Sequence, residues 1–232
     1  IRSCPAMSTL EMPISCIRMS IDNCINLLAM ENFTANKCLI TRCPQLDSIH
    51  ALSVGELHIE YCVALLELYT NGVCKVVVER CEAVRRIYMA NITTDLRIKD
   101  CRMLKYINTN RITHGTIRDQ SITITGYNSI TNLSKLFVTN LSVEDNHNIV
   151  SISTIQDLRT LKVINCSALE TIHNSVVMHR INVRDCSQLT TISDILSPVE
   201  IILSNLPQLN ITRFTFSVPK VLMIEQCPNL IT

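Results

Sequence analysis

Apolar and polar positions alternate along this chain in a pattern that returns about every 20 residues. Residues 96–107 read LRIKDCRMLKYI, 161–172 read LKVINCSALETI, 181–192 read INVRDCSQLTTI and 222–232 read LMIEQCPNLIT. Taking the cysteine as position zero, equivalent positions are Cys4, Cys24, Cys43, Cys62, Cys81, Cys101, Tyr127, Asn146, Cys166, Cys186, Leu206 and Cys227, spaced 19 to 21 residues apart except for one step of 26. Three residues before zero stand Ile, Val or Leu in all twelve units, from Ile1 to Ile224, and three after stand Met, Leu, Val or Ile, from Met7 to Leu230. Two unbroken columns define a true internal repeat.

Positions minus five and minus three alternate with polar or variable residues, the period of a short strand with one buried face. One strand per unit is therefore expected. The residue before zero is Asn or Asp in six units (Asn23, Asp100, Asp145, Asn165, Asp185, Asn205) and Gly126 in a seventh. These residues tolerate left-handed backbone or bond their own main chain, so the chain is predicted to bend there. Twenty residues cannot fold alone, so each coil must bury its apolar side chains against the coils above and below. The pattern predicts a single β-rich repeat solenoid over 1–232, about twelve coils with a parallel sheet on one face. A right-handed parallel β-helix is the alternative form of such a stack.

With 21 Lys+Arg against 20 Asp+Glu, the net charge of +1 gives no electrostatic reason to expect nucleic acid as a partner. No apolar run approaches the roughly 20 residues that span a bilayer, so membrane insertion is not expected within this segment. An apolar content of 47% is enough for a substantial core, and only four glycines among 232 residues leave the turns to other residue types. Ile1 already occupies a strand position and no polar capping unit is visible at either end, so the chain is expected to be a fragment of a longer protein.

The units resemble leucine-rich repeats. Leu158, Leu161, Val163 and Cys166, or Val54, Leu57, Ile59 and Cys62, match the first part of the signature L-x-x-L-x-L-x-x-N/C-x-L, and Asn146 uses the other residue allowed at the cysteine position. The next apolar residue comes three positions after the cysteine rather than two. Irregular cysteine-containing repeats of this kind are similar to those of plant intracellular immune receptors and of insect extracellular immune proteins. The resemblance implies a noncatalytic module of immune type, and it implies that the side chain at position zero points inward behind the strand.

The nine cysteines on that column (Cys4, Cys24, Cys43, Cys62, Cys81, Cys101, Cys166, Cys186, Cys227) are read as structural: small buried hydrophobes with a weak S–H donor. Adjacent coils would hold successive Cα atoms about 4.7 to 5 Å apart, a separation that also permits a disulfide. No C-x-x-C occurs, and a metal site is not expected. Cys16, Cys38 and Cys74 lie off the column.

Six N-x-S/T sequons, at Asn32, Asn91, Asn132, Asn140, Asn165 and Asn210, point to an extracellular or cell-surface glycoprotein, while a column of free thiols points to the cytoplasm. Asn32, Asn91 and Asn132 are expected between strands, and Asn165 in the tight turn beside an inward cysteine.

The six histidines are scattered through the repeat, and no nucleophile elbow, P-loop, H-E-x-x-H or glycine-rich fingerprint appears. No enzyme and no cofactor is expected. The catalytic alternative is a β-helix hydrolase or lyase acting on polysaccharide, for which Glu60 and Glu79, at one strand position on consecutive coils, would supply a carboxylate pair. The outward strand positions carry no repeated chemistry, as expected of a scaffold that displays a private surface to a protein or glycan. His58, Glu60, Glu79, Arg97, Lys99, Glu144, Lys162 and Arg184 are the candidate binding residues. The 26-residue step places an insertion at 108–121, a loop that either carries function or is merely tolerated.

Overall fold

The computed structural model describes residues 1–10, 15–90, 95–109, 120–173, 179–196, 199–215 and 219–230, and side chains within these except Leu52, Leu196 and 211–215. It is a parallel β-solenoid with coils of about 20 residues and, among the described residues, no helix. Two compact units, Ile1–Gln120 and Ser121–Thr232, divide the chain inside the segment singled out as an insertion, most of which lies outside the described residues.

The first unit contains β1 (Thr9–Leu10), β2 (Ser15–Asp22), β3 (Ala29–Thr41), β4 (Ser48–Glu60), β5 (Glu67–Asn71), β6 (Lys75–Glu79), β7 (Arg86–Ala90), β8 (Asp95–Lys99) and β9 (Tyr106–Thr109). The second contains β10 (Ser121–Thr125), β11 (Asn132–Ser134), β12 (Asn140–Glu144), β13 (Ser151–Ser153), β14 (Thr160–Ile164), β15 (Thr171–His173), β16 (Arg180–Arg184), β17 (Thr191–Leu196), β18 (Glu200–Ser204), β19 (Ile211–Thr215) and β20 (Val221–Glu225). About nine turns result, fewer than the twelve sequence units. The first unit of the repeat shows only a bridge from Arg2 to Asp22 and the two-residue β1, the last a single strand, and the one with the insertion runs outside the described residues.

Each strand pairs in register with the strand one repeat away. Met19, Cys38, Leu57, Val76 and Leu96 thus form one inward row and Ile21, Ile40, Ile59, Val78 and Ile98 the next. All ten are buried. Cys38, off the cysteine column, is therefore a core residue of the strand. Parallel strands buried by neighbours above and below gain roughly 1.5–3 kcal/mol per large apolar side chain, which is what a 20-residue coil lacks on its own.

One strand per coil was expected, but each coil has two walls. In the second unit β11, β13, β15, β17 and β19 form a separate five-stranded parallel sheet. The cause is the last apolar residue of the repeat skeleton. Met30, Ile49, Leu68, Ile87, Ile152, Ile172 and Ile192, six residues after position zero, are fully buried, and more exposed neighbours on either side restore a period of two. In the first unit β3 and β4 run from this wall around a corner into the next coil, with register shifts at Glu31/Phe33 and Phe33/Thr34 that absorb the bend.

The bend before position zero is left-handed in coil after coil. Asn23, Asp100, Asp145, Asn165, Asp185 and Asn205 have φ of 51 to 56° and Gly126 has 72°. Arg42, Tyr61, Arg80 and Gln226 take the same conformation at 50 to 55° without the usual residue type, at about 1–2 kcal/mol each. Stacking offsets that cost: Arg42 donates its main-chain N–H to Glu60 O at 3.1 Å and Arg80 to Lys99 O at 2.9 Å. Another corner requires glycine for space. A Cβ on Gly55 would lie 2.5 Å from the carbonyl oxygen of Asn36.

Candidate functional site

The cysteine column closes the strand ends. Cys24, Cys43, Cys62, Cys81, Cys101, Cys166 and Cys186 are fully buried, while Cys4 and Cys227 are partly exposed; all nine are free thiols. Each donates its S–H to the carbonyl two residues earlier, from 3.2 Å for Cys186 to Arg184 O to 3.7 Å for Cys24 to Asp22 O. The small thiol fits between coils and supplies a weak donor to a strand-end carbonyl. Burial pushes the thiols of Cys38 and Cys101 up to about 12. Interaction with the neighbouring Cys166 thiol, with burial, raises that of Cys186, and the same interaction lowers that of Cys166. Thiols so raised are poor nucleophiles and poor metal ligands at neutral pH. Among the described residues no group of three or more His, Cys, Asp or Glu is placed to hold a metal ion.

Asn146 fills the same slot with the opposite polarity. Its Oδ1 accepts the N–H groups of Asn148 and Ile149 at 3.0 and 2.9 Å, whereas in cysteine coils the latter amide bonds the main-chain carbonyl of position zero. Tyr127, assigned to position zero by spacing, is 61% exposed. The buried Asn128 takes its place and accepts the N–H of Ile130 at 3.0 Å. Gly126 allows the turn to run one residue longer before an inward side chain is needed.

Some outward charges of the first wall pair across single coil steps, and others bond two residues along their own strand. Glu60 accepts from Arg80 at 3.0 Å, and Arg80 also bonds the Tyr61 hydroxyl at 2.7 Å and lies 5.2 Å from its ring centre. Lys162 donates to Glu144 at 2.8 Å, which holds the Glu144 carboxyl below its ordinary range. Arg97 binds Asp95 at 2.9 Å and Arg184 the side chain of Asn182 at 2.9 Å. Glu60, Glu79 and Lys99 do stand in consecutive register on β4, β6 and β8. Half-buried His58 joins Arg18, Lys37 and Glu56 around a shallow hollow of about 490 Å³, its Nε2 buried without a partner. The Lys37–Glu56 pair, 2.9 Å apart, balances charge there.

Of the sequons, Asn32 is exposed but sits within β3, and Asn132 opens β11, so neither lies between strands as expected. Asn140 is half-buried within β12, and Asn210 is exposed just before β19. Exposed Asn165 occupies the left-handed corner and donates to Asp145 Oδ1 at 2.8 Å. Asn91 lies outside the described residues.

The second wall of the first unit brings together residues that the sequence reading did not single out. His50, Tyr69 and Tyr88 occupy one register position on β4, β5 and β7. The His50 and Tyr69 rings are 4.7 Å apart between centroids, and Tyr69 and Tyr88 are stacked at 4.6 Å and 7°. Tyr106, two residues out of that register, tilts against Tyr88 at 6.1 Å and 58°. Beside them runs a groove of about 370 Å³, reaching from Asn32 past Asn71 to Asn108. Glu67 beside it is neutralised by Arg86 at 2.5 Å and by the Tyr69 hydroxyl at 2.7 Å. A signal for the row existed: each of the three rings follows a column cysteine by seven residues.

Compared with protein-family models, with curated proteins and with solved structures, the chain matches none. The class defined here is thus that of the fold, a parallel β-solenoid repeat protein. Among the described residues no helix is long and apolar enough to cross a membrane.

Proposed function

We propose that the protein is a noncatalytic recognition module, a rigid stack that presents outward side chains to an extended partner, protein or glycan. The observation that carries this reading is the groove of the first unit, whose lining comes from five successive coils. A small substrate needs one or two coils; a lining of this length suits a chain. Of Glu60 and Glu79, the carboxylate pair a glycan-cleaving enzyme would use, Glu60 is already bound by Arg80.

The resemblance to leucine-rich repeats supports the same class, and an immune-type or adhesive display of the first wall, including Glu79, Lys99, Glu144 and Lys162, belongs to it. The exposed sequons Asn132 and Asn210, outside the groove lining, support an extracellular setting. The reading is tested by immobilising the chain, measuring retention of a panel of soluble polysaccharides and cell-surface proteins, and analysing the same polysaccharides for cleavage. Retention without cleavage is expected. Release of shorter products by the pure protein would overturn the noncatalytic reading.

A further inference from the structure

Resting on that recognition reading, we infer that the tyrosine-lined groove of the first unit binds a straight, neutral, β-1,4-linked glycan chain along the stack axis. Four observations point to this ligand. The rings recur once per coil, at centroid spacings of 4.7 and 4.6 Å. A β-1,4-linked pyranose chain is nearly straight and advances by about one such step per sugar, so rings and sugars stay in phase. The groove is also long: five coils at the ~4.8 Å spacing of paired strands give roughly 19 Å, room for about four sugars.

The third observation is the state of the ring faces. Tyr69 lies between His50 and Tyr88, and Tyr88 between Tyr69 and Tyr106, so the faces are set against one another and the ring edges form an apolar strip along the groove. Pyranose C–H groups pack on such apolar strips. The small side chain of Ala90 leaves depth for them. Fourth, the polar lining is neutral. Asn32, Asn71 and Asn108 are carboxamides, able to donate to and accept from hydroxyl or acetamido groups; Glu67 and Arg86 beside the groove neutralise each other, and Glu31, in register with His50 at one end, adds a carboxylate that repels anions. A polyanionic chain gains nothing there, and a helically coiled α-linked chain leaves the line of the rings.

The experiment is titration of the intact chain with cello-, xylo-, manno- and chito-oligosaccharides of one to six units. Tyrosine fluorescence is the readout, since the chain has no tryptophan, and calorimetry is run in parallel. At least one series is expected to bind, with affinity rising to about four units and then levelling. Tyr88→Ala should weaken binding at least tenfold and Tyr88→Phe less than threefold, since the ring rather than the hydroxyl is the platform. Lys75→Ala, on β6 of the other wall, should leave binding unchanged, and circular dichroism melts show whether Tyr88→Ala is folded. If Tyr88→Ala does not fold, Ala90→Leu, which narrows the groove at a half-buried position and keeps every ring, replaces it with the same expected loss. Failure of all four series, or binding that ignores both groove variants, overturns the assignment. Retention of a protein partner in the presence of such a failure would leave the recognition reading standing and remove only the glycan.

Discussion

Lys162 and Glu144 face each other across one coil step, 2.8 Å from ammonium to carboxylate, with Ser142 Oγ donating to the same carboxylate oxygen at 2.7 Å. The bond from Lys162 keeps the Glu144 carboxyl ionised below its ordinary range, and the same holds for Glu56 beside Lys37 and for Asp22, bound by Arg42 and Thr41. A carboxyl with a lowered folded pKa contributes stability that is present above its unfolded value and lost as pH falls through the folded one. Denaturant melts should therefore show stability falling between about pH 5 and pH 3. Glu144→Gln should reduce the size of that fall by about 0.5 kcal/mol, the scale of a partly exposed pair. An identical pH profile in wild type and Glu144→Gln would refute the pairing.

Tyr69 predicts the opposite sign at the alkaline end. Its hydroxyl donates to Glu67, and the carboxylate, with some burial, pushes its pKa up to about 12. The contribution is full below the unfolded value near 10 and disappears as pH rises through 12. Absorbance titration of tyrosinate should show one residue ionising late, and Glu67→Gln should return it to the ordinary range.

Leu104 is fully buried three residues after Cys101, whereas Lys99 is exposed on β8. Leu104→Ala should cost about 2–5 kcal/mol through the cavity it leaves. Lys99→Ala should cost under about 0.5 kcal/mol. Equal losses in urea melts would contradict the inward and outward assignment of the coil.

Cys186 tests what the recurring cysteine is for. Cys186→Ala or Cys186→Ser should lose roughly 1–2 kcal/mol, because the slot is small and its polar contacts, to Arg184 O and the Cys166 thiol, are weak. Cys186→Arg should fail to fold locally, since a charge buried there has no partner. Thiol counting should find most column cysteines unreactive until denaturant is added. Disulfides or bound zinc in native protein would overturn the packing role.

Gly55→Ala should destabilise by about 1–3 kcal/mol, since the new methyl meets backbone oxygen rather than a side chain able to move. Melting of Gly55→Ala beside the neighbouring Ser53→Ala, an exposed site, separates this clash from a general effect of alanine.

The sequence by itself determined the repeat, its inward columns and the corner before position zero, because burial between identical coils forces the same residue class back at every step. Ile21, Ile40 and Ile59 become rungs of one ladder merely by being one repeat apart. The second wall was written in the same code but was too short to read. A run such as Thr171–Ile172–His173 alternates for only three residues, and a loop with one apolar anchor looks alike. The exchange of Tyr127 for Asn128 was hidden for a similar reason, since a turn that runs one residue longer keeps Ile130 in its column. Only the tertiary structure decided which charges cancel and which rings meet. Arg80 reaches Glu60 because its long side chain spans the gap between coils, and Tyr69 lies on Tyr88 because parallel, in-register stacking brings residues 19 apart in sequence to one rung apart in space. That closeness comes from the buried interior, where apolar packing fixes the register, and the outward side chains inherit it.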